Sequence, residues 1–199
     1  MALGTPVVLA GCESGVSDSE KGSMSFEAAQ PAAKSEADAD AVETTQEANV
    51  PTEYSSALTK AKTYSDMMHM SKQAIYDQLT SEYGEQFSAE AAQYAIDNLS
   101  ADYSKNALEK AKSYSDTMFM SKQGIYDQLV SDSGERFTAE EAQYAIDNLQ
   151  ADYNHNALEK AKTYQETMNM SPEAIRDQLT SSYGEKFTQE EADYAIANL

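Results

Sequence analysis

Tryptophan is absent from this 199-residue sequence, and cysteine occurs once, at Cys12. A lone cysteine closes no internal disulfide and cannot supply the clustered thiolates of a structural zinc site. Only four prolines and eight glycines interrupt the chain, so few positions break or kink a helix. Cations are scarce as well: 14 Lys and Arg stand against 34 Asp and Glu, a formal net charge of -20. That balance repels nucleic-acid phosphates and anionic lipid headgroups, and it excludes both as partners of the folded surface. A charged protein partner must instead present a basic surface. No apolar run approaches the roughly 18 residues of a membrane-spanning helix.

The signatures of catalysis are missing too. The two histidines, His69 and His155, do not fall at equivalent places in the repeats described below. The sequence has no HExxH motif, no glycine-rich phosphate loop and no Gly-x-Ser-x-Gly elbow. Asp38-Ala39-Asp40 lacks the ligand spacing and the glycine of a calcium loop. The chain reads as a non-enzyme that needs no cofactor and no metal.

What is present begins with Val7-Val8-Leu9-Ala10-Gly11-Cys12, an apolar run closing on two small residues and the cysteine. It resembles the lipobox of bacterial lipoprotein signal peptides. On that reading residues 1–11 are a signal peptide, cleavage precedes Cys12, and Cys12 carries the acyl chain, palmitate or a related lipid. No Lys or Arg precedes the run, so a start upstream of Met1 is expected. Residues 12–50 then form the acylated cysteine and a tether. Ser, Ala, Glu, Asp and Gln predominate, and Val16, Met24, Phe26 and Val42 show no period. Such a segment buries too little apolar surface to offset its ordering entropy, so it is expected to be disordered and extended by self-repulsion. It would hold a folded head off the extracytoplasmic face of the cell membrane, the lipid being the chain's only membrane contact.

The remainder repeats at an interval of 50 residues. Leu58, Leu108 and Leu158 are so spaced, as are Met70, Met120 and Met170; Gly84, Gly134 and Gly184; and Phe87, Phe137 and Phe187. The units are 51–100, 101–150 and 151–199, each predicted to be three helices. In the middle unit the first runs from about Asn106 to Met118, with Ala107, Leu108, Ala111, Tyr114 and Met118 on its buried stripe. Ser121 caps the second, with Met120 and Ile125 placed as a hydrophobic staple; Pro172 after Ser171 marks the same start in the third unit. Gly134 is expected to end this helix in a left-handed conformation. Thr138 with Glu141, and Thr188 with Glu191, read as capping boxes of the third helix, while Ser88 with Ala91 keeps half. Phe137 and Phe187 should pack down before those caps. Two continuations stay open after Leu99: one long helix into the next unit, or a fresh helix capped by Asp102 or Ser104. Small units gain stability by stacking on neighbours, with hinged, weak junctions as the alternative.

Asn106-Ala107-Leu108-Glu109-Lys110-Ala111-Lys112-Ser113-Tyr114, Met120 to Leu129, Gly134 to Thr138, and Ala142-Gln143-Tyr144-Ala145-Ile146-Asp147-Asn148-Leu149 together resemble the Ltp-type repeat of host cell surface-exposed lipoproteins. The resemblance extends over residues 55–199 and to the lipobox and tether. It implies an all-α fold of three tandem helix-turn-helix-like repeats, and, for prophage members, superinfection exclusion. Phage resistance there means blocking DNA injection by a related phage, with the phage tape-measure protein as partner. A passive cell-surface spacer or adhesin lipoprotein is the alternative. Helix-turn-helix topology also invites DNA binding, but the third helix of the middle unit carries Glu140, Glu141 and Asp147 and no cation, so a duplex would repel it. Tyr94, Tyr144 and Tyr194 fall opposite the apolar face of the third helices. They are candidate partner-binding residues, with packing against a neighbouring helix as the competing role.

Overall fold

The computed structural model describes residues 50–199, so the expected signal peptide, Cys12 and nearly all of the expected tether lie outside the described residues. Among the described residues there are nine helices and no strand: α1 Thr52–Asp66, α2 Lys72–Thr80, α3 Ala89–Asn98, α4 Tyr103–Met118, α5 Lys122–Val130, α6 Ala139–Asn148, α7 Tyr153–Met168, α8 Pro172–Thr180 and α9 Gln189–Ala197. Each repeat is a long helix, a short one and a third that packs mainly on the first. None is long and apolar enough to cross a membrane.

Small side chains set that packing. Ala57 and Ala61 of α1 meet Ala91, Ala92 and Ala95 of α3, all fully buried, and Ile75 and Leu79 of α2 complete the core. Without bulk between them the two helix backbones approach closely, and the short helix fills the remaining edge. The other repeats use Ala107, Ala111, Ile125, Leu129, Ala142 and Ala145, then Ala157, Ala161, Ile175, Leu179, Ala192 and Ala195. Each buried Ile or Leu stabilises its repeat by about 1.5–3 kcal/mol. Phe137 and Phe187, each 4% exposed, seal the second and third cores.

The helix starts follow the sequence. Ser71, Ser121 and Ser171 accept from the backbone N–H three residues on, and Pro172 sits in the first turn of α8. Met120 and Ile125 join the same core cluster, as a staple requires. Both capping boxes form. In the first repeat Ser88 accepts from the Ala91 N–H, and the missing glutamate is replaced from afar: Glu53 Oε1 accepts from the Ser88 N–H at 2.8 Å.

Of the two continuations left open after Leu99, the fresh helix forms: α3 stops at Asn98 and Asp102 caps α4 by accepting from the Lys105 N–H at 3.1 Å. Two expectations are corrected. Met118 lies outside the core, 51% exposed, because α4 ends there and Phe119, at φ 51, turns the chain away. Gly134 neither ends α5 nor adopts a left-handed conformation. The helix closes at Val130 with Ser131 extended. The positive φ falls on Arg136, at 59°, and on Gln86 and Lys186 in the other repeats. Glycine is needed at 134 for space: the loop doubles back so that the Glu135 N–H donates to the Gln128 carbonyl and the Phe137 N–H to the Leu129 carbonyl. A Cβ on Gly134 would stand 2.4 Å from the Gln128 carbonyl oxygen.

Stacking, not a loose hinge, joins the repeats. Asn106 donates through Nδ2 to Ser65 Oγ and the Met70 carbonyl, each at 3.0 Å. Asn156 repeats both contacts with Ser115 Oγ and the Met120 carbonyl. Ser71 Oγ donates to the Glu135 carbonyl at 2.6 Å, and Ser121 Oγ to the Glu185 carbonyl at 2.5 Å. Arg136 pairs with Asp77, and Lys186 with Asp127 at 2.5 Å. Every one of these contacts crosses a repeat boundary.

Candidate partner-binding site

One lysine of each first helix is tied to the loop that follows the second helix. Lys60, Lys110 and Lys160 pair with Glu85, Glu135 and Glu185. Each of those glutamates also accepts from a tyrosine hydroxyl: Tyr64 at 2.6 Å, Tyr114 at 2.5 Å and Tyr164 at 2.6 Å. The Tyr64 and Lys60 hydrogen bonds hold Glu85 below the usual carboxylate range. Burial, then the adjacent glutamate, pushes Tyr114 and Tyr164 up to about 12. These triads fasten the loop between the second and third helices of each repeat to its first helix, a structural role. Among the described residues no group of three His, Cys, Asp or Glu is close enough to hold a metal ion.

The third helices differ from the first. α3, α6 and α9 contain no Lys or Arg. Part of their acid is committed locally: Asp97 and Asp147 accept from Gln93 and Gln143 one turn back, and Glu141 and Glu191 close the capping boxes. Glu90, Glu140 and Glu190 lie in the first turn, where the helix dipole favours them, and all three are exposed. The result in each repeat is an acidic helix with no cation of its own, although Arg176 of α8 pairs with Asp193 of α9.

The three candidate tyrosines are not equivalent on that surface. Tyr94 is half-buried, its ring 5.2 Å from that of Tyr54 at the start of α1. The positions matching Tyr54 are Ser104 and Asn154, which offer no ring. Tyr144 and Tyr194 are consequently uncovered, 41% and 43% exposed. Tyr144 also lines a cleft of about 650 Å³ at the first junction with Asp66, His69, Lys105, Leu108 and Glu109. At the second junction Phe119 and His155 take the places of His69 and Lys105, and their rings meet edge to face at 5.9 Å. Sequence reasoning missed Tyr54 as the cover for Tyr94, and it missed Asn106 and Asn156 altogether. The available signal was their recurrence at the 50-residue interval, broken by Ser56.

Three stacked helical repeats, with acid and tyrosine on their third helices and one lysine of each first helix tied into an internal triad, define an all-α repeat protein. The sequence matches the family described as host cell surface-exposed lipoprotein at residues 52–99, 102–149 and 152–199, and the chain belongs to that family. Among solved structures it is similar to Ltp, a superinfection exclusion protein from the Streptococcus thermophilus temperate phage TP-J34. The identity is 50%, over 51% of this chain and 99% of that one, with a TM-score of 0.47. No curated protein matches the chain.

Proposed function

We propose that this chain is a lipid-anchored, protein-binding module on the extracytoplasmic face of the cell membrane, and that it excludes superinfecting phage by stopping DNA injection. Membership of a family of surface-exposed lipoproteins supports the location. One observation carries the binding role: Tyr144 and Tyr194 stand uncovered on helices that bear acids and no cation. An exposed ring supplies contact area and a cation–π face, and the surrounding carboxylates attract Lys and Arg. The partner is accordingly a protein with a basic surface, the phage tape-measure protein being the candidate the family resemblance implies. A chain anchored by lipid near the site of DNA entry meets such a partner at raised effective concentration, and three repeats multiply the contact.

The test is infection of cells with and without the protein by a broad panel of phages of its host, scoring adsorption and DNA entry separately. Loss of plaques with normal adsorption and failed DNA entry is the expected outcome. Equal plaquing across the panel would replace this reading with a passive spacer or adhesin, and a block at adsorption would mean receptor masking. The anchor is checked alongside. Cys12→Ser, expressed with a complete signal, should abolish lipid labelling and release the protein from the membrane fraction. Retention at the membrane would mean that another feature anchors it.

A further inference from the structure

The residues that build each repeat from within are the same in all three: Ala57, Ala107 and Ala157; Tyr64, Tyr114 and Tyr164; Ile75, Ile125 and Ile175; Leu79, Leu129 and Leu179; Glu85, Glu135 and Glu185. The residues that join one repeat to the next follow another rule. Several of them recur at the two internal junctions and change on the leading face of repeat 1 and the trailing face of repeat 3.

On a leading face the junction uses an asparagine and a cation, Asn106 with Arg136 and Asn156 with Lys186. Repeat 1 has Ser56 and Gln86 there instead, both exposed. A serine hydroxyl is too short to reach the carbonyl that the asparagine amide reaches, and it brings one donor instead of two. A glutamine amide cannot supply the ion pair. On a trailing face the junction uses a buried serine, Ser65 or Ser115, and a half-buried tyrosine, Tyr76 or Tyr126, stands on the second helix of the same repeat. Repeat 3 has Gln165 and Arg176. Tyr76 and Arg136 line one cleft of about 400 Å³, so Arg176 puts a positive charge where the cation of an incoming repeat would settle. Asp193 holds it there at 3.2 Å. Ser171, Asp177 and Met170 keep their identities on the trailing face, and Ser171, whose counterparts are buried at both internal junctions, is exposed.

We propose that Ser56, Gln86, Gln165 and Arg176 prevent a second copy of this chain from docking end to end through the contacts that join its own repeats. A head-to-tail contact of that kind does not close on itself, so copies able to make it would grow into chains, and repeat arrays need altered outer faces to stay separate. Four residues, two on each face, withhold from another molecule the recognition that the internal junctions use twice.

The experiment compares the full unacylated chain, kept reduced so that Cys12 cannot cross-link, with the fourfold variant Ser56→Asn, Gln86→Arg, Gln165→Ser and Arg176→Tyr. Sedimentation velocity is run over rising concentration, with circular dichroism to check helicity. The unaltered chain should stay at monomer mass. The variant, at unchanged helicity, should gain at least about twofold in average mass and continue to grow with concentration. Adding Asp177→Lys removes the carboxylate with which the arginine introduced by Gln86→Arg on an incoming copy would pair, and it should return the variant to the monomer. A fully helical fourfold variant that remains monomeric overturns the proposal. So does an unaltered chain whose own association is abolished by Asp177→Lys, or a variant whose growth ignores that change.

Discussion

Asn156, at the start of the third repeat, reaches back across the junction and donates to Ser115 Oγ at 3.0 Å in a fully buried contact. Its second bond, to the Met120 carbonyl, satisfies a backbone acceptor just beyond the end of α4. Asn156→Ala leaves both acceptors without that donor, and an unsatisfied buried acceptor costs about 1–3 kcal/mol. The loss should appear locally. Hydrogen exchange should accelerate in α8 and α9 more than in α2 and α3, since stability in stacked repeats is a sum of units and junctions. Uniform acceleration across all the described helices would show that the junction does not divide the array.

Gly134→Ala should destabilise the second repeat although the backbone there is not left-handed. The new Cβ would collide with the Gln128 carbonyl oxygen, a backbone atom that cannot swing aside. Overpacking of this kind costs about 1–3 kcal/mol, read as a lowered urea midpoint. A structure of the variant should show the Glu135 bond to Gln128 lengthened.

Alkaline pH should weaken the fold through Tyr114 and Tyr164. Their folded values, about 12, lie above the ordinary tyrosine value near 10. Folding favours the protonated phenol, so this contribution is fully present below about pH 10 and is lost as pH rises toward about 12. Thermal midpoints should fall through that window, with a late phase of tyrosinate absorbance. Tyr114→Phe should remove part of the late phase.

Acid should loosen the second junction. Burial acts to raise Asp127, but hydrogen bonds from Lys186 and Gln123 outweigh it and leave the carboxyl below its ordinary value. The stabilisation is present above the unfolded value of about 3.9 and is lost as pH falls through the lower folded one. Asp127→Asn should flatten the acid limb of the stability profile.

Tyr144→Ala and Tyr194→Ala should weaken partner capture, and the double variant should lose more than either alone, with helicity unchanged. Tyr94→Ala should act differently: it removes a ring packed at a tilt against Tyr54 and should lower stability by about 0.5–1.5 kcal/mol beyond area loss. Binding measured against salt should also weaken as screening grows. Equal binding losses from all three tyrosines would contradict their different exposure.

The sequence by itself determined the helices and the repeat. Caps at Ser121, Thr138 and Thr188, proline at 172, and buried Ala, Ile and Leu at helical spacing are local signals, each decided within a few residues of itself. The net charge of -20 was legible there too, because net charge needs no fold. Only the tertiary structure decided what depends on residues far apart in the chain. Gly134 looked like a helix terminator because its role, clearance for a loop folding back on Gln128, exists only once that loop is placed. Met118 matched the buried stripe but lies where α4 runs out of neighbours. Tyr94, Tyr144 and Tyr194 share one place in the repeat, yet the ring of Tyr54 covers the first and leaves the others open. Asn106 and Asn156 read as ordinary polar residues until stacking buried them against Ser65 and Ser115. Periodicity records which face of a helix is apolar, while the neighbour that a polar side chain meets is fixed only by packing.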